Sequence, residues 1–479
     1  MQLSHSRRVV SATFDDPNLV SAAGLVPVMK LAEKAGLRSL ADEWLSVPTD
    51  KGANPGLKVA SLVAGMVAGA DSIDDMAVLR HGAMGKIFDR PYAPTTLGSF
   101  LRTLPQALRA GGPLFGHVRQ LDAVASRFFG NLARLAPLLS DVVTADEGNG
   151  GYVFVDVDDT IIEVHGYAKQ GSGYGYSGVR GINALLATLK TKTSAPVIIG
   201  QRLRRGACGS PRGAAKLISD ALACVKRLPG SKGARVLFRA DSAFYGYACL
   251  AAAITAGAAV SVTARMDKAV KRAIASIGDD VWEAIEYTNA IYDEDTKTWV
   301  STAEVAEVPF TAFTSRKKSE RVTGRLVVRR IPDLNTRAGD GQATLFDTWR
   351  FHAFFTTSDL NTVTADKTHR GHAVIEQVNA NLKSSALAHL PSGVFTANAA
   401  WLVLAVMAFN LTRAAATITG PTLAKARTAT IRRKLIMVPA RIATSARRLT
   451  LHLPKDWPWE ADWTVLYARV CGPPPPITP

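Results

Sequence analysis

Three aspartates follow an apolar run in the stretch VFVDVDDT, residues 153–160. Side chains alternate between the two faces of a β-strand, so Asp156 and Asp158 share one face and Asp159 lies on the other. Negative charge at the end of a buried strand is unfavourable unless a cation or a charged substrate lies beside it. The stretch therefore predicts a metal or substrate site, although a single such aspartate is also typical of a solvated strand end.

Two further carboxylates can complete this site. A second strand ends in Asp241, and Glu376 lies in a predicted helix. If the two strands are neighbours in one sheet, their carboxylates converge at one edge. The polar residues of the helix recur every three or four positions and share one face; they are His369, His372, Glu376, Asn379 and Lys383. Together these features predict a site for metal ions and a phosphate.

The spacing of apolar residues indicates the elements that carry these groups. It predicts helices through residues 20–145, then three strands, a helix, a strand, a helix and a strand through residues 150–265. That second order is the order of a ribonuclease H-like layer. A long helix is expected over 367–389 and an apolar helix over 398–415. The fold class expected is α/β, with a ribonuclease H-like core interrupted by a β-rich insertion.

The same patterns predict five regions. They are a helical N-terminal domain (1–147), the first part of the core (148–265), a β-rich insertion subdomain (266–347), the second part of the core with the Glu376 helix (348–395), and a basic C-terminal region (396–479) for DNA contact and dimerisation. The N-terminal helices fit either a module that binds DNA ends or a plain helical bundle.

The net charge of +17 indicates a polyanionic partner, most often nucleic acid. No Asp or Glu occurs between Glu376 and Asp456, and basic residues are frequent there. Such a segment is typical of a phosphate-binding surface, since neutralised phosphates release counterions; a solvated basic face is the alternative. The DNA contacts expected are Arg432, Arg433, Lys434, Arg447 and Arg448.

Composition argues against several other classes. The chain is 47% hydrophobic and 20% charged, which is typical of a globular protein. The longest apolar run, residues 399–409, is too short to span a bilayer and predicts a core helix. The four cysteines lack metal-ligand spacing, and the N-terminus lacks the apolar core of a signal peptide. We therefore expect a cytoplasmic protein with reduced thiols and no membrane partner.

These residues resemble the DDE transposases of insertion sequences, and the local sequence resembles the insertion-sequence 1380 family within the insertion-sequence 4-like group. The resemblance covers most of residues 150–450, and the matching pieces are residues 155–160, 164–166, 169–171, 174–176 with Gly181, 239–244 and the Glu376 helix. The wider group has Tyr, Arg, Glu and Lys in that helix. Glu376 and Lys383 keep this spacing, whereas His369 and His372 replace the Tyr and Arg, with Arg370 nearby.

The resemblance implies that Asp158, Asp241 and Glu376 are catalytic and hold two Mg²⁺ ions, or Mn²⁺, for attack on a phosphodiester. Asp156 is the alternative first ligand. Lys383, His372, His369 and Arg370 would contact the phosphate. The implied partners are double-stranded DNA, as terminal inverted repeats and target, and a second copy of the chain in a synaptic homodimer. The β-rich insertion would close over the DNA ends during cut-and-paste transposition.

Two other interpretations account for part of the pattern. A haloacid-dehalogenase-like phosphatase would use Asp156 as nucleophile and Asp158 as acid–base. That fold needs a later strand that ends in a pair of acids, and the strand ending at Asp241 supplies only one. A DNA-binding relative that has lost catalysis would share the charge pattern and differ only in activity.

Overall fold

The computed structural model describes residues 11–88, 91–103, 116–139, 151–190, 194–231, 233–293, 297–332, 349–445 and 448–472. Within these ranges the protein combines helices with a large mixed β-sheet. Arg447, expected to contact DNA, lies outside the described residues.

Helices dominate the N-terminal region, as its apolar spacing predicts. After the short strand β1 (Leu19–Val20) come α1 (Leu25–Lys34), α2 (Leu37–Trp44), α3 (Pro55–Ala68), α4 (Pro94–Thr103) and α5 (Gly116–Leu135). Pro55 occupies the first turn of α3, where its missing N–H removes no helical hydrogen bond. Gly69 ends the same helix with a φ of 115°, a left-handed conformation that favours glycine.

A mixed sheet follows and carries the aspartates. Its elements are β2 (Tyr152–Glu163), β3 (Gly173–Tyr174), β4 (Arg180–Lys190), β5 (Val197–Arg205), α6 (Ala214–Arg227), β6 (Arg235–Ala240), α7 (Tyr247–Thr255) and β7 (Ala259–Thr263). Strand β4 pairs antiparallel with β2 and β5, whereas β2 pairs parallel with β6, and β6 with β7. The order β5-β4-β2-β6-β7 places β2 in the middle.

The β-rich stretch that follows extends this sheet. It contains α8 (Lys268–Ala275), β8 (Glu283–Asp293), β9 (Thr298–Ala312), β10 (Val322–Pro332) and β11 (Trp349–Thr356). We expected an inserted subdomain, but β11 pairs with both β7 and β10, so the described strands continue the central sheet. Val327 and Val328 point to opposite faces of β10 and both are buried, as in a sheet covered on both sides.

The helix that carries Glu376 is broken, and its bounds differ from the expected 367–389. It consists of α9 (Thr362–Arg370), a 3₁₀ turn (Gly371–Ala373) and α10 (Val374–Lys383). Asn361 caps the start, because its side chain accepts from the Thr364 N–H at 2.8 Å. At the break, Arg239 from β6 donates to the backbone oxygens of Thr368 and Gly371. These bonds occupy two carbonyl oxygens at the break.

The C-terminal region packs on the N-terminal helices. It contains α11 (Phe395–Thr419), α12 (Pro421–Ala424), α13 (Thr428–Ile431), a π-helical turn (Arg432–Ile436), β12 (Ala440–Ser445), β13 (Arg448–His452) and α14 (Glu460–Cys471). Helix α11 lies between β5 and the helices α1, α3 and α5, and β12 pairs with β1. The described parts of the two terminal regions therefore pack together beside the sheet.

Helix α11 is long and apolar enough to cross a membrane, yet 89% of its most apolar window is buried inside the protein. It is a core helix, as predicted for this run. Asn410 accepts from the Ile198 N–H at 2.9 Å and donates to the Ile198 oxygen at 2.7 Å. This bidentate contact occupies backbone groups of β5 and links the helix to the sheet that carries the aspartates.

Candidate active site

Asp158 and Asp241 lie side by side on neighbouring strands. Each directly follows a residue of the register pair Val157–Ala240 in the parallel ladder of β2 and β6. Adjacent strands lie about 4.8 Å apart, so the two carboxylates leave the same face close together. Asp241 Oδ1 accepts from the Ala243 N–H at 2.9 Å and caps a short 3₁₀ turn. This turn ends β6 and leaves Asp241 exposed.

The environment of Asp158 is acidic. Burial raises the pKa of Asp158 to about 7, and the charges of Asp241, Asp159 and Glu376 act in the same direction. Partial burial also raises the pKa of Asp241, while the Ala243 backbone bond and His372 lower it. A carboxylate among like charges keeps its own charge more easily when a cation is present. The charges of Asp241 and Glu376 therefore act on Asp158, so the three carboxylates named from the sequence interact electrostatically.

Asn379 is the residue that contacts Asp158 directly. Its Nδ2 donates to Asp158 Oδ2 at 2.9 Å. Its Oδ1 is buried and accepts no hydrogen bond from the residues that the structure describes. Asn379 belongs to the polar stripe recognised in the sequence. Its role as the partner of Asp158 becomes visible only from the packing of α10 on β2.

These groups match a divalent cation in donor type and charge. Carboxylate and amide oxygens suit Mg²⁺ or Mn²⁺, and the repulsion around Asp158 and the unpartnered Asn379 oxygen are both relieved by a cation. Among the described residues, no three His, Cys, Asp or Glu side chains are arranged as a ready metal cage. The residues therefore fit the ion chemically, without a preformed ligand geometry.

Asp156 has a different partner. It is fully buried, and its Oδ1 and Oδ2 accept from Arg239 Nε at 2.7 Å and Nη2 at 2.8 Å. The Arg239 guanidinium also lies over the Phe154 ring at 4.2 Å. Because both oxygens are engaged by an arginine, the structure argues against Asp156 as the first metal ligand. Sequence reasoning missed Arg239, whose only signal was its position two residues before Asp241.

Asp159 lies on the opposite face of β2, as strand alternation predicts. Its Oδ2 accepts from Arg204 and from Asn183 Nδ2, the latter at 2.7 Å, and its Oδ1 accepts from Ser210 Oγ at 3.2 Å. Asp159 is therefore neutralised by its own arginine and hydrogen-bond donors.

His369 does not reach the surface, and its expected phosphate contact is wrong for this structure. Its ring stacks on Phe354 at 4.1 Å, and its nitrogens lie 2.9 Å from Ser261 Oγ and 3.0 Å from Thr263 Oγ1. Burial holds the pKa of His369 well below its usual range, and the nearby charges of His372 and Arg239 add to the effect. The ring is therefore a neutral packing group between α9 and the sheet.

Arg370, His372 and Lys383, the other expected phosphate contacts of this helix, differ in whether they are free to bind a phosphate. Arg370 donates from Nε to Asp366 Oδ2 at 2.8 Å, so its guanidinium already has a carboxylate partner. His372 Nδ1 lies 2.9 Å from the backbone oxygen of His369, and the charge of His372 lowers the pKa of Asp241. Lys383 is accessible to solvent as a residue, but its ammonium is partly desolvated; this desolvation lowers the pKa of the ammonium, while the charges of Asp158 and Glu163 raise it. Lys383 is thus the positively charged residue of the polar stripe that interacts electrostatically with Asp158.

The basic C-terminal residues have mixed environments. Arg433 is exposed, and its guanidinium lies 5.6 Å from the centre of the Trp459 ring, with Lys434 Nζ at 5.3 Å from the same centre. Arg448 is exposed on β13. Arg432 is partly buried, and this burial lowers the pKa of its guanidinium. Arg433, Lys434 and Arg448 are therefore accessible to a phosphate, and Arg432 less so.

Carboxylates gathered on adjacent strands of a mixed sheet, in a strongly basic chain, are typical of enzymes that act on nucleic-acid phosphates. Comparison with known families makes the class specific. The family described as "Transposase DDE domain group 1" matches residues 2–471, and the chain belongs to this DDE transposase family. No curated protein matches the sequence.

Proposed function

We propose that the protein is the transposase of an insertion sequence, which binds terminal inverted repeats, cleaves DNA there and joins the ends to a target. The proposed catalytic residues are Asp158, Asp241 and Glu376, and the proposed cofactor is a pair of Mg²⁺ ions, with Mn²⁺ as a substitute. The observation that carries this proposal is the acidic environment of Asp158, to which Asp241 and Glu376 both contribute. The order β5-β4-β2-β6-β7 supports a ribonuclease H-like core.

Each residue has a distinct role in this proposal. When bound, the metal supplies activation of the attacking water or DNA 3′-hydroxyl and stabilisation of the leaving oxygen. Asn379 holds the Asp158 carboxylate in position through its Nδ2. Lys383 binds a phosphate of the strand to be cut, and His372, beside Asp241, is a second phosphate contact.

The same proposal assigns DNA-binding roles to surfaces outside the carboxylate site. Arg433, Lys434 and Arg448 would bind the DNA backbone, and the N-terminal helices would bind the DNA ends. Pairing of two ends favours a homodimer. The matching segments around Asp158 and Asp241 favour the insertion-sequence 1380 family. The departures at His369 and His372 from the wider group leave a DNA-binding relative without catalysis as the alternative.

The phosphatase interpretation is disfavoured by Asp156. A nucleophile must reach its substrate, whereas Asp156 is fully buried and paired with Arg239. The family match across residues 2–471 points the same way.

The proposal is tested by alanine at each of the three catalytic residues, with a plasmid that carries the element's terminal repeats as substrate. Loss of a metal ligand removes several kcal/mol of transition-state stabilisation, so excision falls by about a thousandfold or more. DNA binding stays near that of the unmodified protein. The exposed Asp280, replaced by alanine, is the matched control and keeps full excision.

Full excision by the Asp241→Ala protein would contradict the proposed site. A wild-type protein that binds the repeats but never cleaves them would instead identify a DNA-binding relative without catalysis.

A further inference from the structure

Three tyrosines are exposed on the connection between β2 and β4, residues 164–179. Their exposed fractions are 86% for Tyr167, 62% for Tyr174 and 93% for Tyr176. Tyrosine rings carry a large apolar area that is favourable to bury, so three exposed rings in so short a segment mark a binding surface. None of them takes part in the carboxylate site.

The base of this connection is fixed to the protein core. The Gln170 N–H donates to the Gly393 oxygen at 2.9 Å, and the Gln170 side chain accepts from the Phe395 N–H at 3.2 Å. Lys169 donates to the Leu390 backbone oxygen. On the other side, a Cβ at Gly175 would lie 2.8 Å from the Gly206 oxygen, so the two backbones are in close contact. The rings are therefore presented from an anchored scaffold, which lowers the entropy lost on binding.

The sequence around the tyrosines is basic, although Arg204 pairs with Asp159 and Arg202 with Asp122 and Asp220. No Asp or Glu occurs between Glu163 and Asp220. The basic residues of that interval are Lys169, Arg180, Lys190, Lys192, Arg202, Arg204, Arg205, Arg212 and Lys216. The Arg180 guanidinium lies 4.3 Å from the centre of the Tyr167 ring and donates to the backbone oxygen of Tyr167 at 3.1 Å. Exposed ring faces among cations complement a ligand that has both flat aromatic faces and negative charge.

The connection also begins close to the carboxylate site. Glu163, where β2 ends, lies about 17 Å along the strand from Asp158 at the usual rise per residue. Lys383 is within electrostatic range of both residues. A nucleic-acid strand repeats about every 3.4 Å, so a strand that lies at Asp158 spans the distance to Glu163, where the connection begins, in about five nucleotides.

We propose that Tyr167, Tyr174 and Tyr176 form a stacking surface for unpaired bases of the DNA strand that enters the carboxylate site. Bases in a duplex are covered by their neighbours, whereas unpaired bases expose faces that stack on aromatic side chains. The ligand is thus single-stranded DNA at or beside the cleaved end. This inference rests on the proposed function. It adds that the tyrosines bind unpaired bases, which the proposed catalytic residues do not contact.

The test measures fluorescence anisotropy of the full-length protein with two labelled probes, an oligothymidylate and a duplex of the same length. A chelator is present, so that binding is measured without cleavage. Each Tyr→Ala change weakens binding to the single strand about five- to a hundredfold and leaves duplex binding within about twofold. Tyr→Phe variants keep the ring and bind as the wild type does. Phe14→Ala removes an exposed aromatic ring elsewhere and serves as the matched control.

Unchanged single-strand binding in the triple alanine variant would overturn the inference, as would an equal loss on both probes. A change of oligomeric state with unchanged DNA binding would assign the rings to a protein interface and also overturn it. If the wild-type protein also fails to bind a duplex that carries the terminal repeats, the proposed function itself fails, and this result is distinct from a failure of the stacking proposal alone.

Discussion

Asp156 and Asp158 lie two residues apart on the same face of β2, yet they have opposite environments. Asp156 is fully buried, and an arginine binds both of its oxygens. Asp158 is less buried, has no ion pair within the described part of the chain, and is affected by the charges of three other acids. Its direct partner is the neutral amide of Asn379.

The difference shows that the charge partner, and not the position on the strand, decides what a carboxylate does here. A buried carboxylate paired with arginine stabilises the arrangement of β2 and β6 only as long as both partners are present. A carboxylate among like charges contributes no such stability and favours a cation instead. Structural and functional aspartates are therefore adjacent in this strand.

Removal of the charge at Asp156 is the strongest test of this contrast. Asp156→Asn leaves Arg239 buried without its counter-charge, and we expect the free energy of unfolding to fall by about 3–5 kcal/mol. Denaturant unfolding measures this change. Asp158→Asn is the matched control: it removes a repelled charge, so stability is unchanged or higher. Equal destabilisation by the two variants would contradict the conclusion that Asp156, and not Asp158, stabilises the fold.

Asn379 allows a sharper test on the Asp158 side. Asn379→Ala removes the bond that orients Asp158, and we expect a 10- to 100-fold loss of cleavage, as for other residues that hold a metal ligand in place. Single-turnover cleavage of labelled terminal-repeat DNA measures the rate. Gln377 is exposed on the same helix, and its alanine variant provides the control. If both variants cleave alike, Asn379 has no positioning role.

Lys383 gives the smallest expected effect. Lys383→Gln removes one phosphate contact, so DNA binding weakens to the same extent on all sequences. The slope of log affinity against log salt falls by about one. Titrations at several salt concentrations measure this slope, with the exposed Lys367→Gln as control. An unchanged slope would remove Lys383 from the phosphate site.

Local patterns predicted the part of the site that depends on a single strand. Alternation along β2 puts Asp156 and Asp158 on one face and Asp159 on the other, and the structure has this arrangement. Helical spacing likewise identified the polar stripe that contains Asn379. Both predictions depend on geometry repeated within one element.

Contacts between distant segments were not predictable in this way. Arg239 pairs with Asp156 because β2 and β6 adopt one particular register, which no spacing within either strand reveals. The polar stripe placed His369 on the surface, whereas in the structure Phe354 of β11 and Ser261 of β7 contact its ring and bury it. The same arginine binds carbonyl oxygens at the break between α9 and α10, a contact between distant segments that helical spacing does not reveal.

Mn²⁺ titration of the full-length protein, followed by electron paramagnetic resonance, tests directly whether Asp158 binds a cation while Asp156 is structural. We expect that the wild type binds Mn²⁺ and that Asp158→Asn, although folded, loses this binding. Asp158→Asn protein that binds Mn²⁺ as tightly as the wild type would contradict it.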